Sequence, residues 1–328
     1  MVGRGIANAL EPAVFTIGTL INRRKRCRLP ELPLRAESQI EGQDGIADDG
    51  CNWRALEENR ISPRENVQSR ILAHFPFLLE IGYWMLIYWI YQGLRAASAK
   101  AIRGKKPIFD TAEHHGLQIL ALEQFFHLDI ELGVQRTILE RAPWLMNILA
   151  RVYYSHIVLG VAFYVYCYTF FLRAQYRKIR RTMALDNIIA FAIISLWRCM
   201  PPRLLPEEYG FIDVLHSNKG GSAWTQNKFQ LIIAAMPSLH FGNSALIAFC
   251  LVNFSPHRLL RTIAPLWPAM MGLTIVATAN HYVLDAVAGA CVVTVAYQYN
   301  HVMLFLLPVE RFLFRLVWLE KPRDVWLG

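Results

Sequence analysis

Long apolar runs alternate with short basic segments along most of the chain. About 20 apolar residues suffice to cross a bilayer as a helix. The pattern therefore predicts an all-α fold, a polytopic integral membrane bundle of about six transmembrane helices. The predicted spans are residues 71–93, 147–172, 183–200, 237–253, 263–280 and 284–306.

One further apolar segment, residues 115–139, carries several polar side chains. If the basic loop before it is cytoplasmic, the segment crosses the membrane and the spans number about seven. If it does not cross, about six remain, and we favour this arrangement. Glu123, His127 and Glu131 are four residues apart and would share one helical face. One interpretation is that they form a buried polar seam or even a metal site. The other, which we favour, is that they form the water-facing side of an amphipathic helix in the membrane interface.

The two ends of the chain differ from its middle. Residues 1–70 join a mildly apolar start and a basic cluster to a polar, acidic stretch, and we expect a tail that is largely disordered or interfacial. The membrane-embedded domain is expected over residues 71–310, followed by a short basic tail at residues 311–328.

The composition agrees with a membrane protein. Of the 328 residues, 54% are hydrophobic and 12% aromatic, and the mean hydropathy is +0.26. The net charge of +9 comes from Lys and Arg clustered between the apolar runs, which is typical of membrane loops and argues against nucleic-acid binding. The six cysteines include no Cys-x-x-Cys pair, so neither a disulfide framework nor a zinc site is expected.

A basic cluster after residue 172 gives the strongest orientation signal and places that loop in the cytoplasm. Its members are Arg173, Arg177, Lys178, Arg180 and Arg181. Alternation of the later spans then brings Arg203, His240 and His281 to the same, non-cytoplasmic face of the membrane. This convergence predicts one active site.

The first candidate motif is Met-Pro-Ser-Leu-His at residues 236–240, directly before an apolar run. Pro237 suits a first helical turn and Ser238 is a good N-cap, so a helix is predicted to begin here. The backbone N–H groups of Leu239 and His240 would then point out of the helix end, where the helix dipole favours an anion. This end predicts a phosphate-binding site.

The second candidate motif pairs His281 with Asp285, spaced i and i+4. On a helix the carboxylate can accept the hydrogen of one imidazole nitrogen, which leaves the other nitrogen as a nucleophile. His240 from the neighbouring helix could protonate a leaving oxygen. Phosphoryl transfer through a covalent histidine intermediate requires this division of roles.

Together the motifs resemble the second and third signature motifs of the type 2 phosphatidic-acid phosphatase superfamily, which read roughly Pro-Ser-x-His and His-x-x-x-Asp. Residues 277–289 resemble the branch of the fungal inositol phosphorylceramide synthases, which are inositolphosphotransferases, and their bacterial relatives. Residues 200–211 resemble the first motif of that branch and contribute Arg203 as a phosphate ligand. The likeness covers roughly residues 112–295.

Two positions depart from the superfamily pattern. Leu239 replaces a usual Gly between the Ser and His of the second motif, which affects how closely the backbone approaches a phosphate. Ile275 replaces an Arg six residues before the third-motif His, which removes a phosphate-binding cation. Lys219 or Lys228, in the loop that follows Arg203, is a candidate substitute.

The resemblance implies a membrane lipid phosphotransferase or phosphatase with a phosphohistidine intermediate, most like an inositolphosphotransferase, that needs no cofactor and no metal. The alternatives are a lipid or prenyl phosphate phosphatase and a non-catalytic lipid-binding scaffold. The expected partners are a phospholipid or other lipid phosphate and the membrane; protein partners stay open. In a eukaryote we expect a multi-pass protein of the Golgi or endoplasmic reticulum.

Overall fold

The computed structural model describes residue 75, residues 77–215 and residues 232–316. The predicted N-terminal tail, most of the C-terminal tail, Lys219 and Lys228 lie outside these residues. Within them the prediction of an all-α fold is confirmed, since the α-helices and three 3₁₀ segments are joined by loops and a single isolated bridge between Cys199 and Ala234.

The α-helices of the described residues are numbered in chain order. They are α1 (Phe77–Ile102), α2 (Lys106–Phe125), α3 (Glu131–Arg141), α4 (Pro143–Phe170), α5 (Arg173–Leu196), α6 (Leu239–Phe254), α7 (Arg258–Ile263), α8 (Leu266–Ala277), α9 (Val283–Gln298) and α10 (Leu307–Leu316). The 3₁₀ segments are Pro202–Leu204, Glu207–Tyr209 and Asn300–Leu306.

Local sequence sets the start of the helix that carries the first motif. Ser238 is the N-cap of α6, and its hydroxyl oxygen accepts a hydrogen bond from the backbone N–H of Phe241 at 3.4 Å. A serine oxygen at this position satisfies one of the N–H groups that have no acceptor inside the helix. The prediction of a helix beginning at this serine agrees with the structure.

Helix α6 lies at the centre of the fold, against α9, α8 and α4. It meets α9 where Gly242 faces Gly289. A Cβ atom added to Gly242 would lie 2.7 Å from the carbonyl oxygen of Gly289, and one added to Gly289 would collide with the carbonyl oxygen of Ser238. Small residues let helix backbones approach this closely, as is common between helices in membranes. The contact fixes the start of α6 beside the first turns of α9.

Helices α2 and α3 pack on one end of the central helices. Near the start of α2 the carbonyl oxygen of Ala112 accepts the N–H of Met200 at 2.9 Å, and near its end Glu123 accepts the N–H of Leu284 at 2.7 Å. Met200 precedes the 3₁₀ segment Pro202–Leu204, which lies at the same end of the bundle as the start of α9. Helix α2 therefore has both of its ends against one face of the bundle.

The prediction that Glu123, His127 and Glu131 share one helical face is wrong. Helix α2 ends at Phe125 and α3 begins at Glu131, and His127 between them has a φ of 57°. A positive φ is incompatible with a continuous right-handed helix. Residues 115–139 thus form two helices joined by a sharp turn.

Two described helical segments are long and apolar enough to cross a membrane, Pro143–Phe170 and Arg258–Ala277. A third span results if the pair Val283–Gln298 and Asn300–Leu316, bent by 60°, is counted as one. The predicted total of about six is not confirmed. Helix α6 is apolar but has only 16 residues, and the first half of α5 carries the basic cluster found in the sequence.

Replacing Gly289 by Ala tests the contact between α6 and α9. The added methyl group would strike the Ser238 carbonyl, so the helices must separate, and overpacking of this kind costs about 1–3 kcal/mol. We expect the melting temperature in detergent to fall. Gly160→Ala on α4 is the matched control, since a Cβ atom there meets nothing within 4 Å. Equal melting temperatures for the two variants would contradict the close approach.

Candidate active site

Two histidines face each other at the start of α6 and just before the start of α9. The Nε2 atom of His281 lies 3.3 Å from the Nδ1 atom of His240, and the ring centroids are 5.5 Å apart. His281 stands two residues before α9 and is 6% exposed, whereas His240 is the second residue of α6 and is half-buried. The structure thus brings together two residues that are 41 positions apart in the sequence.

The second ring nitrogen of His281 faces main chain. Its Nδ1 atom lies 2.7 Å from the carbonyl oxygen of Ala235 and 3.5 Å from the Oδ2 atom of Asp285. A carbonyl oxygen can only accept, so Nδ1 carries the hydrogen and Nε2 keeps its lone pair. The sequence predicted the aspartate as the partner of this nitrogen, but the nearer acceptor is the backbone of Ala235.

Asp285 also holds the beginning of its own helix. Its Oδ2 atom accepts the backbone N–H of Tyr282 at 2.9 Å, and its carbonyl oxygen accepts the N–H of Ser238 at 2.9 Å. Its side chain is fully buried. The residue therefore links the start of α9, the N-cap of α6 and His281.

Two side chains of α4 surround His240, and the sequence analysis did not identify either as part of a site. The ring of Tyr153 stacks on that of His240 with centroids 4.4 Å apart, and the ring of His156 meets it nearly edge to face at 4.3 Å. The Nδ1 atom of His156 lies 2.6 Å from the Tyr153 carbonyl oxygen, so it carries the hydrogen. A histidine inside a membrane-length apolar run was the available signal, because ionisable residues there are rarely without a role.

Arg203 is 9% exposed and docks on the turn before His281. Its Nε atom donates to the Oδ1 atom of Asn280 at 2.9 Å, and its Nη1 atom donates to Asp213 at 2.8 Å. Its backbone N–H donates to the carbonyl oxygen of Ala279 at 2.9 Å. The first motif is therefore fixed to the third, and within the described residues the remaining guanidinium N–H groups have no other acceptor.

The start of α6 offers further donors beside His240. The backbone N–H groups of Leu239 and His240, the first two residues of the helix, have no acceptor inside it. Ser238 is fully buried, and its oxygen is already used as the cap. An anion held here would be bound chiefly by the two amides and the helix dipole.

Ile275, which stands where the superfamily pattern has a cation, lies in apolar surroundings. Ile275 is fully buried in a cluster with Met271, Val276 and Ala286. The sequence candidates for this role, Lys219 and Lys228, lie outside the described residues.

The acidic residues of α2 and α3 are also at this end of the bundle. Glu123 and Glu131 are both fully buried, and they accept the backbone N–H groups of Leu284 at 2.7 Å and Val283 at 2.9 Å. His127 is exposed and takes no part. The favoured expectation, an interfacial helix with its acids in water, is wrong for Glu123 and Glu131. No three His, Cys, Asp or Glu side chains of the described residues are grouped as a metal site.

Comparison with known proteins identifies the class. A family model described as the PAP2 superfamily, that of the type 2 phosphatidic-acid phosphatases, matches residues 117–299, which is more than half of the chain. The chain belongs to this superfamily, and membership indicates an enzyme of the phosphatase or phosphotransferase type. No curated protein and no solved structure matches the chain.

Replacing Arg203 by Lys tests the prediction that Arg203 binds phosphate. A lysine keeps the charge but cannot donate to Asn280 and Asp213 and still present a planar fork to a phosphate. We expect binding of vanadate, a phosphate analogue, to weaken about tenfold or more. Arg141→Lys at an exposed position is the control. Unchanged vanadate binding in Arg203→Lys would contradict the assignment.

Proposed function

We propose that this protein is a membrane lipid phosphotransferase or phosphatase that acts through a phosphohistidine on His281. The observation that carries the proposal is the pairing of His281 Nε2 with His240 Nδ1 at 3.3 Å, with His281 Nδ1 held by a carbonyl oxygen at 2.7 Å. This arrangement leaves an oriented lone pair beside a second imidazole. Nucleophile and acid are the two groups that the first chemical step needs.

In the first step Nε2 of His281 attacks the phosphorus of a lipid phosphate ester. The bond between phosphorus and nitrogen forms as the bond between phosphorus and the ester oxygen breaks, and protonated His240 gives its proton to the departing oxygen. The phosphoryl group enters the space between the two rings, which must separate slightly to admit it. Positioning and charge neutralisation supply most of the rate in such reactions.

The phosphoryl oxygens are held by Arg203 and by the amides of Leu239 and His240, with the Ser238 hydroxyl beside them. Arg203 is positioned for this role by its bonds to Asn280 and Asp213, which leave other N–H groups available. These donors are fixed before substrate arrives, so they need little reorganisation as charge develops. The paired histidines, with Arg203 held beside them by Asn280 and Asp213, favour an enzyme over the non-catalytic scaffold.

In the second step the phosphohistidine passes its group to water or to an alcohol. Neutral His240 takes the proton of the incoming oxygen, the new bond between oxygen and phosphorus forms, and the bond to His281 breaks. Both residues return to their starting protonation states. The same residues therefore serve a phosphatase and a phosphotransferase, and access of the acceptor decides between them.

We place the site on the non-cytoplasmic face of a six-span domain covering residues 71–310, with α2 and α3 lying on that face. Support comes from the contacts of both ends of α2 with the site end of the bundle, at Met200 and Leu284. A segment that begins and ends on one face does not cross the membrane. This arrangement leaves the number of spans at about six.

For the acceptor we propose an inositolphosphotransferase-like reaction, from phosphatidylinositol to the hydroxyl of a ceramide. The support is the resemblance of residues 277–289 to the inositol phosphorylceramide synthases. In this reaction His281 carries phosphoinositol. Hydrolysis of a lipid or prenyl phosphate is the alternative outcome of the same chemistry.

Replacing His281 by Ala removes the nucleophile, and we expect complete loss of turnover. The measurement uses purified protein with radiolabelled phosphatidylinositol, with and without ceramide. His301→Ala, at an exposed histidine, is the control and should keep wild-type activity.

Each outcome of this assay assigns the reaction. Label in a new lipid that requires both wild-type protein and ceramide establishes the transferase, whereas label released into water favours the phosphatase. Full activity of the His281→Ala variant would falsify the mechanism.

Asp285→Asn should leave a slow residual rate. The amide oxygen of Asn can still accept the N–H of Tyr282, and the Ala235 carbonyl still holds His281 Nδ1, so the tautomer survives while the negative charge is lost. The loss should be smaller than the about 10⁴-fold fall seen where an aspartate alone holds the tautomer of a catalytic histidine. The rate is compared with that of the exposed control Asp110→Asn. A total loss in Asp285→Asn, equal to that in His281→Ala, would show that the carbonyl does not orient the ring.

A further inference from the structure

Three successive backbone N–H groups after His281 each donate a hydrogen bond to a carboxyl group. Tyr282 N–H donates to Asp285, Val283 N–H to Glu131, and Leu284 N–H to Glu123, at 2.9, 2.9 and 2.7 Å. The first acid belongs to α9 itself, and the other two come from α3 and α2. The amides of this helix start are therefore held by side chains from three separate helices.

Glu123 and Glu131 each use one oxygen in this way and leave the other buried. Both Oε2 atoms are inaccessible to solvent and have no hydrogen-bond partner among the described residues. Buried polar atoms without partners are rare and costly. The two carboxyl groups are neighbours, because they accept the N–H groups of the adjacent residues Val283 and Leu284. Two negative charges at that separation repel strongly in a buried site.

One proton on the pair would remove both the missing hydrogen bonds and the repulsion between the two charges. If one carboxyl group is protonated, its Oε2–H donates to the Oε2 of its neighbour, and both partnerless atoms are satisfied at once. One negative charge then remains on the pair, at the N-terminus of α9, where the helix dipole favours it.

The other groups around the pair favour the shared proton. Burial, with the neighbouring Glu131 and Asp285 carboxyl groups, raises the pKa of Glu123 to about 9, against the lowering effect of the Leu284 amide. The Tyr282 phenol and the Cys199 thiol are buried in the cluster to which α2 contributes Ile119 and Leu120. None of these neighbours is a cation that would hold both carboxylates ionised.

We propose that Glu123 and Glu131 share one proton near neutral pH and act together as positioning residues that fix His281 at the start of α9. The catalytic part of this inference rests on the proposed function, whereas the shared proton does not. Residues 282–284 follow His281 directly, so release of their amides would let the nucleophile move. A displacement of about 1 Å can cost about 100-fold in rate.

Infrared difference spectroscopy at neutral pH counts the protons on the pair. The signal is the carbonyl stretch of a protonated carboxylic acid, compared between wild type and Glu123→Gln, Glu131→Gln and the double variant. A glutamine can donate its NH₂ to the remaining carboxylate, as the acid does. We expect the signal of one protonated carboxylic acid to disappear in each single variant, and the signal of no more than one to disappear in the double variant. Glu140→Gln, on the exposed side of α3, should leave the signal unchanged.

Two other spectroscopic results would overturn the shared proton. No loss in either single variant means that both groups are ionised. Loss of one acid in each single variant and of two in the double variant means that each group holds its own proton. Neither result depends on turnover, so the infrared test of the shared proton remains valid even if the proposed function is wrong.

The positioning role is tested by Glu123→Ala against Glu123→Gln. We expect kcat to fall about 100-fold in the alanine variant with KM nearly unchanged, because Arg203 still holds the substrate, and to return almost to wild type in the glutamine variant. The His281 ring nitrogen signals in ¹⁵N NMR should shift with Ala and not with Gln, which reports position without turnover. Glu140→Ala is the control.

An alanine variant with normal kcat and an unmoved His281 signal would refute the positioning role. If Glu123→Ala does not fold, the glutamine variant decides, since a glutamine variant that folds but loses activity contradicts the role. Inactive wild-type protein with the expected infrared and NMR results would reject the proposed function and leave the arrangement of the pair intact.

Discussion

The backbone contact between α6 and α9 is the constraint on which the rest of the site depends. Gly242 and Gly289 let the two helices approach until the peptide groups of one nearly touch those of the other. His240 lies within the first turn of α6 and His281 just before α9, so a larger separation of the helix axes would move the two rings apart by a similar distance. No side-chain adjustment would restore a 3.3 Å approach of two short, stiff imidazoles.

Much of the site could be predicted because its rules are local. Ser238 as an N-cap follows from helix geometry within the first turn. Asp285 does lie near His281, as predicted, although His281 stands two residues before α9 and not on the helix. The resemblance to a superfamily located Arg203, although its bonds to Asn280 and Asp213 join segments that no local rule connects.

The features that sequence reasoning missed are tertiary. Every residue has a carbonyl group, so a pattern of side chains cannot identify the Ala235 carbonyl as an acceptor. Tyr153 and His156 belong to an apolar run, and only the packing of α4 against α6 brings them to His240. The turn at His127 broke a four-residue spacing that read as continuous helix. Glu123 and Glu131, on either side of this turn, were expected in water. They are buried and accept backbone N–H groups at the start of α9, which offsets part of the free-energy cost of burying them.

The use of a main-chain oxygen to hold His281 Nδ1 has a consequence for how the protein tolerates genetic variation. A carbonyl group is present whatever side chain stands at position 235, so a point mutation there leaves the acceptor in place as long as the backbone keeps its course. That course is itself fixed by the hydrogen bond from Ala235 N–H to the Cys199 carbonyl at 3.1 Å, again between main-chain atoms. The tautomer of His281 is thereby set by main-chain atoms, and a replacement at the buried position 235 affects it only by displacing the backbone.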